Sequence, residues 1–230
     1  MNIIIATVKD WNIEAAYNFQ KANSNMHNIT ILTEYDKLTL SYVQSLAPQY
    51  IFFPHWSKMI PDEIFNNYEC IVFHMTDLPF GRGGSPLQNL ISRGVYETQI
   101  SAIKVCDECD AGDIYLKLPL CLHGGAEEIY IRASKIVFDK MIPHIIENTP
   151  SPIKQMGEVE CFKRRTPNMS EIAPNMSIEQ IFDMIRMLDA PEYPRAFIDF
   201  GEYRLKFSRP KLSNDGVYAD VKIERISEHE

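Results

Sequence analysis

The first half of the chain alternates short apolar runs with amphipathic segments. Four of these runs have the length and composition of strands buried on both faces, and they span residues 2–8, 28–33, 49–54 and 69–74. Buried strands separated by helical patterns are typical of a parallel sheet with helices packed on it. We therefore predict an α/β fold: a Rossmann-like, mostly parallel sheet with helices on both faces.

The second half of the chain has a different pattern. Residues 98–106 and 113–122 alternate apolar and polar positions, as antiparallel strands do, and would extend the sheet. An amphipathic helix pattern at 126–147 then ends at Pro150-Ser151-Pro152. Beyond this break the pattern predicts a strand, a helix and three further strands, at 158–163, 177–188, 195–200, 203–208 and 217–226. We predict a larger domain of residues 1–150 and a small C-terminal α+β subdomain of residues 151–230.

Composition and charge exclude several classes of protein. The 230 residues are 45% hydrophobic, which is enough for a core, and their net charge of -8 opposes broad attraction to nucleic acid or to an anionic membrane. The apolar run at the start soon meets charged residues, and no later stretch has the roughly 18 apolar residues of a membrane span. Because the five cysteines are an odd number, we expect reduced thiols. We predict a cytoplasmic protein with neither nucleic acid nor membrane as a partner.

Candidate chemistry is concentrated after the fourth apolar run. His74 ends this predicted strand, where ligands of α/β folds bind, and a loop rich in glycine and proline follows it. A histidine at this place can donate a hydrogen bond or move a proton near neutral pH, and Arg82 offers planar donors to phosphate or carboxylate. The turn at 109–113 could bring the Asp110 carboxylate beside the imidazole. Taken singly, His74 could equally end a strand, and the Asp110 turn could be only a turn.

These two segments together resemble a known family. The combination His74-x-x-x-Leu78-Pro79-x-x-Arg82-Gly83, followed by Asp110-Ala111-Gly112, is similar to the folate-dependent formyltransferases, which include glycinamide ribonucleotide, methionyl-tRNA and nucleotide-sugar formyltransferases. The form of the first motif looks closest to sugar N-formyltransferases of pseudaminic acid pathways and to formylation domains of nonribosomal peptide synthetases. Residues 162–167 and 185–189 also resemble the C-terminal domain of that branch, so the resemblance covers nearly the whole chain.

The resemblance implies transfer of a formyl group from 10-formyltetrahydrofolate to an amine, with no metal. The catalytic residues would be His74, which stabilises negative charge on the formyl oxygen, and Asp110, which holds the site and helps a water accept the amine proton. The family usually has an asparagine two residues before the histidine, where this chain has Val72. A backbone N–H, a water or Thr76 could replace the missing donor.

The resemblance also suggests binding residues. Folate is expected near the loop before the motif and near the Asp110 turn, where the candidates are Trp56, Ser57, Lys58, Met59 and Asp107. Candidates for the amine substrate follow the first strand or lie in the motif; they are Lys9, Trp11, Asn12, Thr76, Phe80, Gly81, Arg82 and Gly83. Trp56 and Met59 could equally be core residues, Lys9 a solvated charge and Asn12 a helix cap.

The acceptor is predicted from the branch that the motif resembles. Residues 151–230 carry 12 Lys+Arg against 14 Asp+Glu and show no basic patch, which disfavours a tRNA acceptor. We predict formylation of the 4-amino group of a UDP-linked 4-amino-4,6-dideoxy sugar, a precursor of the pseudaminic acid type. The alternatives are an aminoacyl group on a carrier protein and a catalytically silent homologue. A structural zinc site is an alternative of another class, with Cys106, Cys109, Cys121 and His123 as ligands. The C-terminal β unit could mediate a homodimer.

Overall fold

The computed structural model describes residues 1–226, which form two compact units. The first unit comprises Met1–Gly83, Thr98–Leu120 and Tyr130–Cys161. The second comprises Gly84–Glu97, Cys121–Ile129 and the chain from Phe162 onward. Each unit is therefore built from separate stretches of the chain, and the boundary between residues 150 and 151 stays a prediction.

The central sheet is mostly parallel. Its strands are β1 (Asn2–Ala6), β2 (Asn28–Leu32), β3 (Tyr50–Phe53), β4 (Cys70–His74), β6 (Glu97–Lys104) and β7 (Ile114–Cys121), with the short strand β5 (Phe80–Gly83) between β4 and β6 in sequence. The sheet order is β2-β1-β3-β4-β6-β7. The four apolar runs of the first half pair in parallel, and β6 runs antiparallel to β4. The predicted α/β fold is confirmed.

Helices flank the sheet of the first unit, and their bounds are α1 (Asp10–Asn23), α2 (Leu40–Leu46), α3 (Asp62–Phe65), α5 (Ala126–Ile136) and α6 (Ile142–Asn148). Helix α4 (Pro86–Ile91) belongs to the second unit. The amphipathic pattern predicted at 126–147 passes from α5 through a π-helical turn, Val137–Met141, into α6. Pro143 lies in the first turn of α6 and has no N–H to donate to the carbonyl four residues before it. A locally wider turn accommodates that loss without ending the helix.

Apolar side chains of the strands form the core of the first unit. Ile4, Ile51 and Phe53 are buried on β1 and β3, where they pack with side chains from α2 and α3. This packing fixes the positions of strands β1, β3 and β4. The candidate functional residues lie at the ends of these strands or in the segments that follow them.

The second unit contains a three-stranded antiparallel sheet and a capped helix. Its elements after residue 161 are α7 (Ile178–Arg186), β9 (Ala196–Phe200), β10 (Tyr203–Ser213) and β11 (Gly216–Arg225). Strand β8 (Glu160–Phe162) lies where the first unit ends and the second resumes in sequence. Helix α7 begins with a capping box in which Ser177 and Gln180 exchange hydrogen bonds, and it packs on β10 and β11. The helix and the three C-terminal strands predicted from the sequence are therefore present. The homodimer assigned to this sheet stays a prediction.

No helix within residues 1–226 is long and apolar enough to cross a membrane. The cytoplasmic location stays a prediction.

Candidate active site

His74 lies at the end of β4 and is held on both ring nitrogens. The residue is 8% exposed, and its Nε2 lies 2.7 Å from the Gly81 carbonyl oxygen. A carbonyl oxygen can only accept, so Nε2 carries the hydrogen in this contact. On the other side of the ring, Nδ1 lies 3.5 Å from Asp110 Oδ2. The imidazole is thus fixed between a backbone carbonyl and a carboxylate.

The loop after β4 is fixed by buried hydrogen bonds. Thr76 is fully buried, and its hydroxyl donates to the Gly81 carbonyl at 3.3 Å. Ser101 of β6 donates to the Thr76 carbonyl at 2.8 Å and accepts from the Leu78 N–H at 3.4 Å. These contacts tie the loop to the neighbouring strand and set the position of the Gly81 carbonyl against His74. Sequence reasoning missed Ser101, which looks like an ordinary strand serine.

Asp110 lies in a tight turn whose backbone explains its position. The Ala111 N–H donates to the Glu108 carbonyl at 3.3 Å, and Asp110 has φ +53°, a left-handed conformation that aspartate tolerates better than most residues. Its Oδ2 accepts from the Gly83 N–H at 2.9 Å and from the Cys109 thiol at 3.4 Å. The carboxylate is therefore oriented by donors from two segments.

Gly112 completes this turn for a steric reason. A Cβ added there would lie 1.7 Å from the Lys104 carbonyl oxygen, so a side chain cannot fit without moving the backbone of β6. The Asp-Ala-Gly segment of the motif thus needs its glycine for close approach to the sheet. The structure brings His74 and Asp110 together, as the sequence analysis expected.

A glutamine joins Arg82 to the Asp110 turn. Gln155 Oε1 accepts from Arg82 Nε at 3.0 Å and from Nη2 at 2.9 Å. Its amide nitrogen donates to the carbonyls of Asp110, at 2.7 Å, and Gly112, at 2.9 Å. Arg82 Nη1 also pairs with Glu108 Oε1 at 2.9 Å. Arg82 is therefore held by the turn, and Gln155 is a site residue that the sequence analysis did not name.

Val72 does not face a polar environment. It packs against Leu78, Ile103 and Ile114, with no donor of its own to offer. Among the replacements considered for the family's asparagine, the Thr76 hydroxyl is already bonded to Gly81. His74 Nε2–H donates to the same carbonyl, so both side-chain donors at this strand end share the Gly81 oxygen as their partner.

The predicted folate residues differ in their surroundings. Trp56 packs edge-on against Tyr35, with ring centroids 4.6 Å apart, and its buried indole nitrogen has no hydrogen-bond partner among the described residues. Lys58 Nζ lies 4.4 Å from the centre of the Tyr35 ring. Ser57 and Asp107 are exposed, and Met59 is 79% exposed, so Met59 is not a core residue. A half-buried aromatic with an unused N–H fits the flat, polar-edged ring of a pterin.

Trp11, in the first turn of α1, belongs to an aromatic cluster. Trp11 stacks on Tyr130 at 5.5 Å and meets the edge of His55 at 5.7 Å. Lys9 is the N-cap residue of α1, whereas Asn12 lies within the helix, so Asn12 is not the cap. Asn12 is 3% exposed, and its amide nitrogen contacts the Pro54 carbonyl at 3.4 Å. Phe80, Gly81, Arg82 and Gly83 are the residues of β5.

The zinc alternative has no support in the structure. Within the described residues, no group of three or more His, Cys, Asp or Glu side chains could hold a metal ion.

Comparison with known proteins identifies the family. A family model described as "Formyl transferase" matches residues 9–134, which is more than half of the chain. The chain belongs to the formyl transferase family. A second model, described as "Methionyl-tRNA formyltransferase, C-terminal domain", matches residues 167–224. The chain is therefore an enzyme of a family that uses 10-formyltetrahydrofolate, and both predictions are confirmed.

Individual relatives indicate which formyltransferases the chain resembles. A solved structure described as methionyl-tRNA formyltransferase from Clostridium thermocellum is 57% identical, covers 98% of this chain and 99% of its own, and superposes with a TM-score of 0.97. A curated methionyl-tRNA formyltransferase from Bacillus thuringiensis is 27% identical over 74% of this chain and 57% of its own length. A sugar N-formyltransferase from Shewanella is 14% identical, with a TM-score of 0.69 and coverage of 99% and 97%. At that identity, the sugar enzyme shows only a shared fold.

These findings overturn the predicted acceptor. The UDP-linked sugar of the pseudaminic acid type, and with it the exclusion of nucleic acid as a partner, is wrong: the 57% identical structure and the curated relatives are methionyl-tRNA formyltransferases. The physical error was to treat a net charge of the C-terminal 80 residues as if it described each part of their surface. A net charge sums over all faces, while phosphate contacts depend on local cations.

Proposed function

We propose that the protein transfers the formyl group of 10-formyltetrahydrofolate to the α-amine of methionyl-tRNA. The observation that carries the proposal is the 57% identity, over nearly the whole of both chains, to a structure described as a methionyl-tRNA formyltransferase. The chain spans less than two thirds of the length of the curated relatives it matches, at 57% and 65% of two of them. The proposal therefore concerns this chain's own residues and the reaction they could perform.

His74 would stabilise the negative charge that grows on the formyl oxygen. Its Nε2–H donates to the Gly81 carbonyl oxygen in a nearly water-free position, and it would exchange this partner for the formyl oxygen. A donor fixed in such a place strengthens the interaction with an oxygen that gains charge. Loss of one donor of this kind lowers kcat by about 100- to 1,000-fold.

Asp110 would support His74 as the amine proton leaves. The attacking amine becomes positively charged and must lose a proton, which a water or the imidazole can accept. A carboxylate 3.5 Å from Nδ1 stabilises a positive imidazolium through charge. The Gly83 N–H keeps this carboxylate directed at the ring.

The residues near Trp56 would hold the donor molecule, which supplies the formyl group when bound. The buried indole N–H of Trp56 would find an acceptor at the polar edge of the folate ring system. Lys58, beside Tyr35, carries a positive charge that suits the carboxylates of the folate tail. These side chains fit the donor's aromatic and acidic parts.

A local basic cluster supports RNA as the acceptor. Arg93, Lys163 and Arg164 are exposed in the second unit, where Arg93 lies 4.3 Å from the Phe162 ring and a Cβ on Gly84 would lie 2.6 Å from Arg164 Cβ. The Asn89 side chain donates to the Lys163 carbonyl at 3.0 Å and so holds the segment after β8 beside α4. Three cations in one place can bind phosphates even on an acidic protein.

Product identification tests the proposal. Methionyl-tRNA, free methionine and a UDP-linked amino sugar are each incubated with the protein and 10-formyltetrahydrofolate, and the tRNA product is digested to its aminoacyl-adenosine for mass spectrometry. We expect one formyl group on the methionyl-adenosine, and no gain with the protein omitted. Methionyl-tRNA left unformylated, while the donor binds, would refute the proposal.

Variants of the basic cluster test its acceptor side. The double variant Lys163→Ala/Arg164→Ala should raise KM for methionyl-tRNA and reduce the dependence of KM on salt, because phosphate contacts release counterions. Lys140→Ala removes an exposed cation of the first unit and is the matched control. An unchanged salt dependence in the double variant would remove the cluster from the acceptor site.

A further inference from the structure

Two exposed cysteines lie next to Asp110 in sequence: Cys109 is within the turn that positions it, and Cys106 comes just before that turn. Cys106 and Cys109 are separated by two residues, a spacing found in redox-active dithiols. The Cys106 thiol donates to the Glu108 carbonyl at 3.2 Å. The Cys109 thiol donates to Asp110 Oδ2 at 3.4 Å. Both thiols therefore bond within the turn that holds the carboxylate.

The same contacts join both thiols to the turn formed by residues 108–111. The Glu108 carbonyl belongs to the peptide unit that joins Glu108 to Cys109, and the Cys106 sulfur rests against its oxygen. The Ala111 N–H shares this acceptor and closes the turn at 3.3 Å. Formation of a disulfide requires both exposed side chains to rotate and the backbone of the turn to adjust.

We propose that Cys106 and Cys109 form a dithiol modification site, which hydrogen peroxide converts to a disulfide that withdraws Asp110 from its place beside His74. The Cys109 thiolate attacks the peroxide, the O–O bond breaks, and Cys109 becomes a sulfenic acid as one water is released. The Cys106 thiol then attacks that sulfur and releases a second water. The two thiols lose two electrons and two protons, and the peroxide accepts them.

The disulfide acts on Asp110 in two ways. Both S–H donors disappear, so Asp110 Oδ2 loses the Cys109 hydrogen bond and the Glu108 carbonyl loses the Cys106 hydrogen bond. The S–S bond also imposes a length of about 2.05 Å and a narrow range of torsion on a turn whose third residue already has a positive φ. The Gly83 N–H is left to hold the carboxylate from one side.

The other cysteines provide the controls. Cys161 is exposed on β8 but lies in a different segment, and Cys70 is buried at the start of β4. Trypsin cleaves after Lys104 and Lys117, so peptide 105–117 carries Cys106 and Cys109 and no other cysteine. Oxidation within this peptide can therefore be read separately from oxidation elsewhere.

The experiment treats the full chain with hydrogen peroxide and then blocks remaining thiols with iodoacetamide before digestion. We expect peptide 105–117 to lose two hydrogens and to resist alkylation, and a thiol reductant to restore both sites. Cys106→Ser keeps a donor for the Glu108 carbonyl and should leave basal activity unchanged, but it cannot form the disulfide. Cys161→Ser should behave as the wild type in every respect.

The functional effect rests on the proposed function and is read by a second signal. Formyl transfer to methionyl-tRNA should fall by at least about tenfold on oxidation, because the lost hydrogen bond to the charged Asp110 is worth about a factor of ten or more. The activity should recover on reduction. In Cys106→Ser, which cannot form the disulfide, it should fall far less. The His74 imidazole resonances in NMR should shift on oxidation and return on reduction. If the reduced protein transfers no formyl group, the proposed function fails, while the peptide mass and the His74 resonances still test the disulfide.

Two results would overturn the inference. One is a peptide 105–117 that stays a dithiol, or gains only oxygen, while Cys161 oxidises. The other is a disulfide that forms without moving the His74 resonances.

Discussion

Gln155→Ala removes a side chain that links Arg82 to the backbone of the Asp110 turn. Four hydrogen bonds among the described residues join Gln155 to Arg82, Asp110 and Gly112, at 2.7 to 3.0 Å. A neutral hydrogen bond contributes about 1 kcal/mol net, and one to a charged group about 1.5–3 kcal/mol. Because Gln155 is only partly buried, water can replace some of these partners, so we expect a loss of about 2 kcal/mol in the free energy of unfolding.

The catalytic effect should exceed what this loss of stability explains. Without Gln155 the turn is free to shift Asp110 relative to His74, and kcat for formyl transfer should fall by about tenfold at a temperature where the variant is fully folded. Urea unfolding measures the first effect, and steady-state kinetics measure the second.

Two further variants separate the roles of Gln155. Gln155→Glu keeps an acceptor for Arg82 but directs a carboxylate oxygen at two carbonyl oxygens, so it should lose kcat while keeping the arginine contact. Lys154→Ala, an exposed neighbour, is the matched control and should match the wild type. Wild-type stability and kcat in Gln155→Ala would refute the reasoning.

Three other predictions follow from single positions. Gly83→Ala should lower both the free energy of unfolding, by about 1–3 kcal/mol, and kcat, because Gly83 has φ +98° and its N–H holds the Asp110 carboxylate; denaturation and kinetics check it. Burial raises the pKa of the Cys70 thiol to about 12, so in the folded protein at pH 8 a thiol reagent should modify Cys161 and leave Cys70 intact until urea is added. Mass spectrometry checks this, and modification of Cys70 before urea is added would contradict it. Hydrogen bonds, the strongest from Lys206, lower the pKa of Glu224 to about 2. The stability that the ionised group adds is therefore present above pH about 4.5 and is lost as the pH falls towards 2, so the urea midpoint of the wild type should drop over that range more than that of Glu224→Gln.

Much of the fold follows from local patterns. The four apolar runs of the first half became β1 to β4 because buried parallel strands need apolar side chains on both faces. His74 could be placed at a strand end for the same reason, and Asp110 could be placed in a turn between two strands that brings its carboxylate beside the ring. The motif indicated that His74 and Asp110 act together, and the sheet order, in which β4 lies next to β6, explains why they are close in space.

The remaining site residues have no local signal. Gln155 follows Pro150-Ser151-Pro152 in a segment with no periodic pattern, and only tertiary contacts bring it to Arg82 and the Asp110 turn. Tyr130 lies on a helix and stacks on Trp11 through packing that no spacing predicts. The acceptor was mistaken because a summed charge cannot reveal where Arg93, Lys163 and Arg164 lie relative to one another.

The most direct test of the central claim compares formyl transfer by the wild type and by His74→Ala. The initial rate of formylation of methionyl-tRNA is measured at saturating 10-formyltetrahydrofolate, with circular dichroism and the unfolding midpoint as checks on the fold. The account predicts a rate for His74→Ala that is lower by at least about 100-fold, with the fold retained, because the variant lacks the donor at Nε2. A variant that is folded and transfers the formyl group at the wild-type rate would contradict the assignment of this site.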